Sequence, residues 1–127
     1  MNIDVEWDNR EQTIIRILFR RGWQWAELEE AIRQADTYIT SVPHTVHLLI
    51  DIQEAGGVPA DVITRAGNLF EQGEARTNEG QKVIVGAGML IQAAYRAFLK
   101  VYGTQMAGRP FQFADSPEAA RQMLRQM

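Results

Sequence analysis

The sequence predicts an α/β domain built on a mixed, mostly parallel five-stranded sheet, in the order β-β-α-β-α-β-α-β-α, with helices mainly on one face. Three observations lead there. Two apolar segments stand close together near the start, and the first alternates strictly with acidic residues, as an edge hairpin does. Short β-branched runs then alternate with longer stretches whose apolar residues recur at helical spacing, the pattern of right-handed β-α crossovers. Finally, one set of alternate strand positions is wholly apolar and the other is mixed, so the two faces of the sheet are expected to be covered unequally.

Composition narrows the class. A chain of 127 residues suits one domain, residues 1–127, with its own core. It has no cysteine, which removes disulfides and thiolate metal sites and fits a reducing compartment. A net charge of -3 is too weakly acidic to draw nucleic acid by bulk charge. Asp4 and Glu6 stand where a signal peptide would be basic, and no apolar run reaches membrane-spanning length, so a cytoplasmic protein without an integral membrane segment is expected.

In order, Ile3, Val5 and Trp7 alternate with Asp4 and Glu6 in a first strand, Asp8, Asn9 and Arg10 make a turn, and residues 13–19 form a second strand antiparallel to the first. Arg20, Arg21 and Gly22 end it. Over 23–42 the residues Leu28, Ala31, Ile32, Ala35, Ile39 and Val42 mark one face of a helix. Its charges lie mostly elsewhere, and Glu29 and Arg33 are spaced for an i,i+4 ion pair. Residues 45–51 read as the central strand, closed by Asp51 and followed by a turn at 53–59 in which Gly56 and Gly57 free the backbone. Pro59 opens a helix over 59–72, with Gly73 as its cap. A polar connector at 74–80 leads to a strand at 81–85, a helix over 88–102 and a short strand at 111–113. Ser116, Pro117 and Glu118 then stand as cap, first-turn proline and first-turn carboxylate of a final helix running toward Met127.

Strand alternation groups Ile15, Ile17, Phe19, Val46, Leu48, Ile50, Val83 and Val85 on one face. The other face collects Ile14, Arg16, Leu18, Thr45, His47, Leu49, Lys82 and Ile84, a mixture unlike that of a sheet buried on both sides. Helices are therefore expected mainly on the first face, with the second partly wet. A doubly wound sheet is disfavoured.

Against that frame the chemical motifs are thin. Gly86, Ala87 and Gly88 between a strand and a helix begin a dinucleotide fingerprint, but its third glycine position holds Ile91, whose side chain opposes close helix–strand packing. No cofactor is expected. His44 and His47 are three apart in extended structure and point to opposite faces, so they do not share a metal. Asp51 at a strand end beside turn amides reads as structural, Ser41 as part of a helix end, and Trp23 and Trp25 as an anchor at a helix start. Nothing in the sequence makes a positive case for an enzyme.

The helix over 88–102 carries more apolar surface than one sheet face requires. Leu90, Ile91, Ala94, Phe98, Leu99 and Tyr102 suffice for packing, yet Met89, Ala93, Tyr95, Ala97 and Val101 extend the apolar girth, leaving only Gln92, Arg96 and Lys100 as a polar stripe. Either neighbouring helices bury its flanks, or Met89, Tyr95, Phe98 and Tyr102 meet a second subunit in a homodimer or an apolar ligand.

The edge hairpin, the helix over 23–42, the strand Thr45-Val46-His47-Leu48-Leu49-Ile50-Asp51, the Val83-Ile84-Val85-Gly86-Ala87-Gly88 turn and the closing stretch from Phe111 to Ala120 together resemble the bacterial stand-alone SpoIIAA-like proteins of the STAS/SEC14 group. The resemblance implies a β-α superhelix and, in general, no enzymatic activity. It also implies a partner-binding loop after the central strand, here carried by Asp51, Gln53, Glu54, Gly56, Gly57 and Asp61. In the anti-sigma-factor antagonists of that group, a serine or threonine near the next helix start is phosphorylated and changes which protein binds. The stretch 51–61 has no hydroxyl side chain, and Thr64 comes about a turn too late. Two readings follow: a protein-interaction and regulatory module without that phospho-switch, or a SEC14-like carrier whose helix over 88–102 walls a site for lipid or another small apolar molecule.

Because Ile91 replaces the third glycine, saturation-transfer NMR with NAD and with FAD is expected to show no transfer from the protein to either dinucleotide. Clear signal from either would restore the nucleotide-binding reading.

Overall fold

Among the described residues five strands join in one sheet in simple chain order, β1-β2-β3-β4-β5. The computed structural model describes residues 2–56, 78–102 and 111–125. Within them lie β1 (Ile3–Trp7), β2 (Ile14–Arg20), α1 (Trp25–Thr40), β3 (Val46–Glu54), β4 (Glu79–Val85), α2 (Met89–Tyr102), β5 (Phe111–Ala114) and α3 (Pro117–Arg125). The architecture is α/β: β1 and β2 are antiparallel, and every later neighbour pair is parallel. The helix expected over 59–72, with its Gly73 cap, falls outside the described residues.

The other expected elements are found with shifted ends. β3 runs three residues past Asp51, because the ladder with β2 continues to the pair Arg20–Glu54. β4 starts at Glu79 rather than 81, taking in the last residues of the expected connector. Ser116 caps α3 as expected, its Oγ accepting the Ala119 N–H at 3.1 Å. Ser41 closes α1, its N–H and hydroxyl both donating to the Tyr38 carbonyl. The ion pair on α1 is Glu30–Arg33 at 2.7 Å, not Glu29–Arg33: the one-turn spacing lets the guanidinium place both Nε and a terminal nitrogen on Glu30 Oε2.

Chain order explains how the faces are covered. Strands β2 to β5 are added one beside the next in a single direction, so right-handed crossovers carry α1 and α2 to the same side. There Leu28, Ala31, Ile32, Ala35 and Ile39 of α1, with Ile91 and Tyr95 of α2, close over Ile15, Ile17, Phe19, Val46, Leu48, Ile50, Ile84 and Phe111. Side chains such as Ile15 and Leu48 are fully buried, each stabilising by roughly 2 kcal/mol relative to exposure. Helix α3 follows the last strand and is no crossover, so it is free to return beneath the sheet. Its Ala120 and Leu124 pack on Ile14, Leu49, Val83 and Val85. The second face is therefore not simply left wet. α3 packs against β3, β4 and β5, while the β1–β2 part carries the ion pairs Arg16–Glu6 and Arg20–Asp4.

This arrangement corrects the face assignment of β4. Val83 and Val85 lie on the α3 side, whereas Lys82 and Ile84 share a face with Leu48 and Ile50. The cause is a bulge: Val46 pairs with Glu79 but Leu48 with Lys82, so β4 holds one residue more than β3 in that interval. Without it Val83 would face the same way as Ile50, which is what simple alternation predicts. The bulge also brings Glu79 and Lys82, three apart, onto one face, where the buried Lys82 ammonium lies 3.1 Å from Glu79 Oε1 and 5.7 Å from the Phe111 ring centre.

His47 fills the bulge. Its Nδ1 accepts the Gln81 N–H at 2.9 Å, and its ring lies so close to buried Gly80 that a Cβ there would sit 2.2 Å from Nδ1. Below α1, the Asn78 amide donates to the carbonyls of Ile39, Val42 and His44 at 2.7, 3.0 and 3.0 Å, tying the helix end to the entry of β3. At the other end of α1, the Glu27 carboxylate accepts the N–H of Gln24 and of Asn2, joining the helix start to β1. Across the second face Arg121 makes a two-pronged bond to Asp8, at 2.8 and 2.9 Å.

Two outcomes are expected of these contacts. Gly80→Ala should cost about 2 kcal/mol in chemical denaturation and His47→Ala a similar amount, but the double variant should cost clearly less than their sum, since the small residue at 47 makes room for the new methyl. Arg121→Ala should destabilise by roughly 2–3 kcal/mol, because it strands the buried Asp8 carboxylate, and Asp8→Asn in the same chain should recover part of that loss.

Candidate functional site

In a parallel sheet all strands end on one edge, and the connecting turns gather there. Along that edge lie Arg21 and Gly22 after β2, Ala55 and Gly56 after β3, Gly86 to Gly88 after β4, and Asp115 and Ser116 after β5. Open α/β sheets bind ligands at this edge where the strand order reverses and two crossovers part. Here the order of the parallel strands does not reverse, so the described part of the edge has no switch point of that kind. The turns close on one another instead. Gly86, at φ +93°, is pressed against β3: a Cβ on it would lie 2.8 Å from Gln53 Cγ and 2.9 Å from the Gln53 backbone nitrogen. Gly56, at φ +79°, faces the Arg21 side chain, with Cγ 3.3 Å from where a Cβ would be.

Of the two glycines in the Gly86–Gly88 turn, Gly86 serves packing and Gly88 does not. Gly86 lets two strand ends meet, while a Cβ on Gly88 would find no atom within 4 Å. Ile91, at the third fingerprint position, is buried in the core against the sheet. Gln92 stiffens the turn from the helix side, its backbone N–H donating to the Gly88 carbonyl and its side-chain amide to the Ala87 carbonyl at 2.8 Å.

What stands out on this edge is apolar and exposed. Met89 and Leu90, the first two residues of α2, are 88% and 74% accessible. Along the same helix Ala93, Arg96 and Ala97 are also exposed. Gln53, Glu54 and Gly56 form the exposed polar ground beside Gly86. The expected loop is therefore divided. Gln53, Glu54 and Gly56 lie at the surface, Gly57 and Asp61 fall outside the described residues, and Asp51 is turned inward.

Asp51 is a structural carboxylate. It is buried beside Val85, and its Oδ1 accepts the Gln53 N–H at 2.9 Å, two residues further along β3. It also contributes to the field at Arg121, whose guanidinium is held still more firmly protonated than usual, first by the hydrogen bond to Asp8 and then by the charges of Asp8, Glu118 and Asp51, against the opposing effect of burial.

The apolar set proposed on α2 also divides. Met89 is at the surface, but Tyr95 is in the core: its hydroxyl accepts the Phe111 N–H at 2.9 Å, and its ring meets Phe111 and Phe113 edge-on. A phenol this engaged cannot line an open surface. Phe98 and Tyr102 belong to α2, and their side chains lie outside the described set. Leu90, expected to pack inward, points out. The burial of Ile91 and Tyr95, one turn apart, fixes the helix phase and leaves Leu90 on the solvent side. Anchoring the helical wheel on that pair would have revealed it.

The remaining candidates do not converge. His44 is exposed with its Nε2 2.8 Å from the Gln12 carbonyl oxygen, while His47 sits in the β4 bulge. Trp23 stacks edge-on between Phe19 and Trp25 and packs on the core. Among the described residues no group of three or more His, Cys, Asp or Glu is placed to hold a metal ion, and no helix is long and apolar enough to cross a membrane. No protein-family model and no curated protein sequence matches the chain.

Gly86→Ala tests the closed edge. With a left-handed φ and the Gln53 backbone nitrogen 2.9 Å from the new methyl, the variant is expected to lose about 3 kcal/mol in urea denaturation. Gly88→Ala, whose methyl meets nothing, is expected to stay within about 1 kcal/mol of the parent.

Proposed function

We propose that the chain is a non-enzymatic protein-interaction and regulatory module of the STAS-like, SpoIIAA-like kind, whose contact surface is the strand-end edge formed by Gln53, Glu54, Gly56, Met89 and Leu90. The exposed pair Met89 and Leu90 carries the reading. Two large apolar side chains at a helix start, on a turn stiffened by Gln92 and braced against β3 by Gly86, beside the polar residues Gln53 and Glu54, have the composition of a protein contact: an apolar centre with a polar border. Rigid presentation favours such a contact, because less side-chain and loop freedom is lost on binding.

The fold part of the proposal is supported by the winding of β2 to β5 in strict chain order, which is how a β-α superhelix grows. The regulatory part departs from the phosphorylated antagonists of that group. Residues 51–61 carry no hydroxyl, so that loop has no serine or threonine to take the phosphoryl group used in that switch, and regulation rests on occupancy of the surface itself. The SEC14-like carrier has less support, since Tyr95 is committed to Phe111 and Phe113 rather than to a pocket wall.

The test is affinity capture from a lysate of the source cells, followed by cross-linking to locate the contact. The Met89→Asp, Leu90→Asp double variant is expected to retain the parent melting temperature and to bind the captured protein at least about tenfold more weakly. Undiminished capture by a folded double variant would move the contact elsewhere. A lipid mass retained by the freshly purified chain in native mass spectrometry would favour the carrier instead, and capture of a second copy of the chain would make the surface a homodimer contact.

A further inference from the structure

We draw no further inference here: the strongest candidate, the exposed apolar patch of Met89 and Leu90 that continues along α2 through Ala93 and Ala97, belongs to the strand-end surface already described, and nothing in the structure shows what covers it.

Discussion

Between Val46 and Leu48 the ladder to β4 gains one residue, and the allocation of side chains to the two faces depends on where that residue is accommodated. Gly80 gives up its side chain so that the His47 ring can lie against the backbone, and His47 in turn accepts the Gln81 N–H at the bulge. Past this point every β4 side chain is reversed relative to a regular ladder. Val83 and Val85 become the floor for α3, and Ile84 joins the larger core. Lys82 is carried to the apolar side along with Glu79, which lies close enough to offset its burial. A histidine, a glycine and a buried lysine, which look unrelated in the sequence, are thus three parts of one local solution.

That dependence also marks the boundary of what pattern reading could reach. Alternation within a strand follows from local geometry, so Ile15, Ile17 and Phe19, or Leu48 and Ile50, are assigned correctly from the chain alone. The phase of one strand against the next is a pairing property, and a single inserted residue inverts it without changing either strand's own pattern. Caps were legible because their signals are local: Ser116 with Pro117, and Ser41 at the end of α1, do what their positions suggest. Asn78 was not, since its work is to satisfy carbonyls 34 to 39 residues away. The strand-end surface was legible only in part. Gln53 and Glu54, expected in the loop after the central strand, are instead its exposed last two residues, and the outward turn of Leu90 needs the phase set by Ile91 and Tyr95.

The same sequential winding that simplifies the fold shapes its strand-end edge. A sheet whose order reverses opens a crevice between diverging crossovers, suited to enclosing a small ligand. A sheet that never reverses offers a ridge of consecutive turns, and here Gly56 and Gly86 draw those turns still closer to their neighbours. On the described part of that edge the exposed apolar side chains Met89 and Leu90 stand at the start of α2 beside the Gly86 turn.

The bond between Arg121 and Asp8 spans 113 positions, in a molecule whose strand pairings otherwise join consecutive strands. During synthesis each strand can dock on the one made just before it, so the sheet grows as the chain emerges and loop closures remain modest. The underside is different. Ile14, Leu49, Val83 and Val85 form an uncovered oily strip until α3 has been made and Arg121 has reached back to the first turn. Completing this second core therefore joins residues far apart in the sequence, a contact that strand-by-strand pairing does not by itself supply.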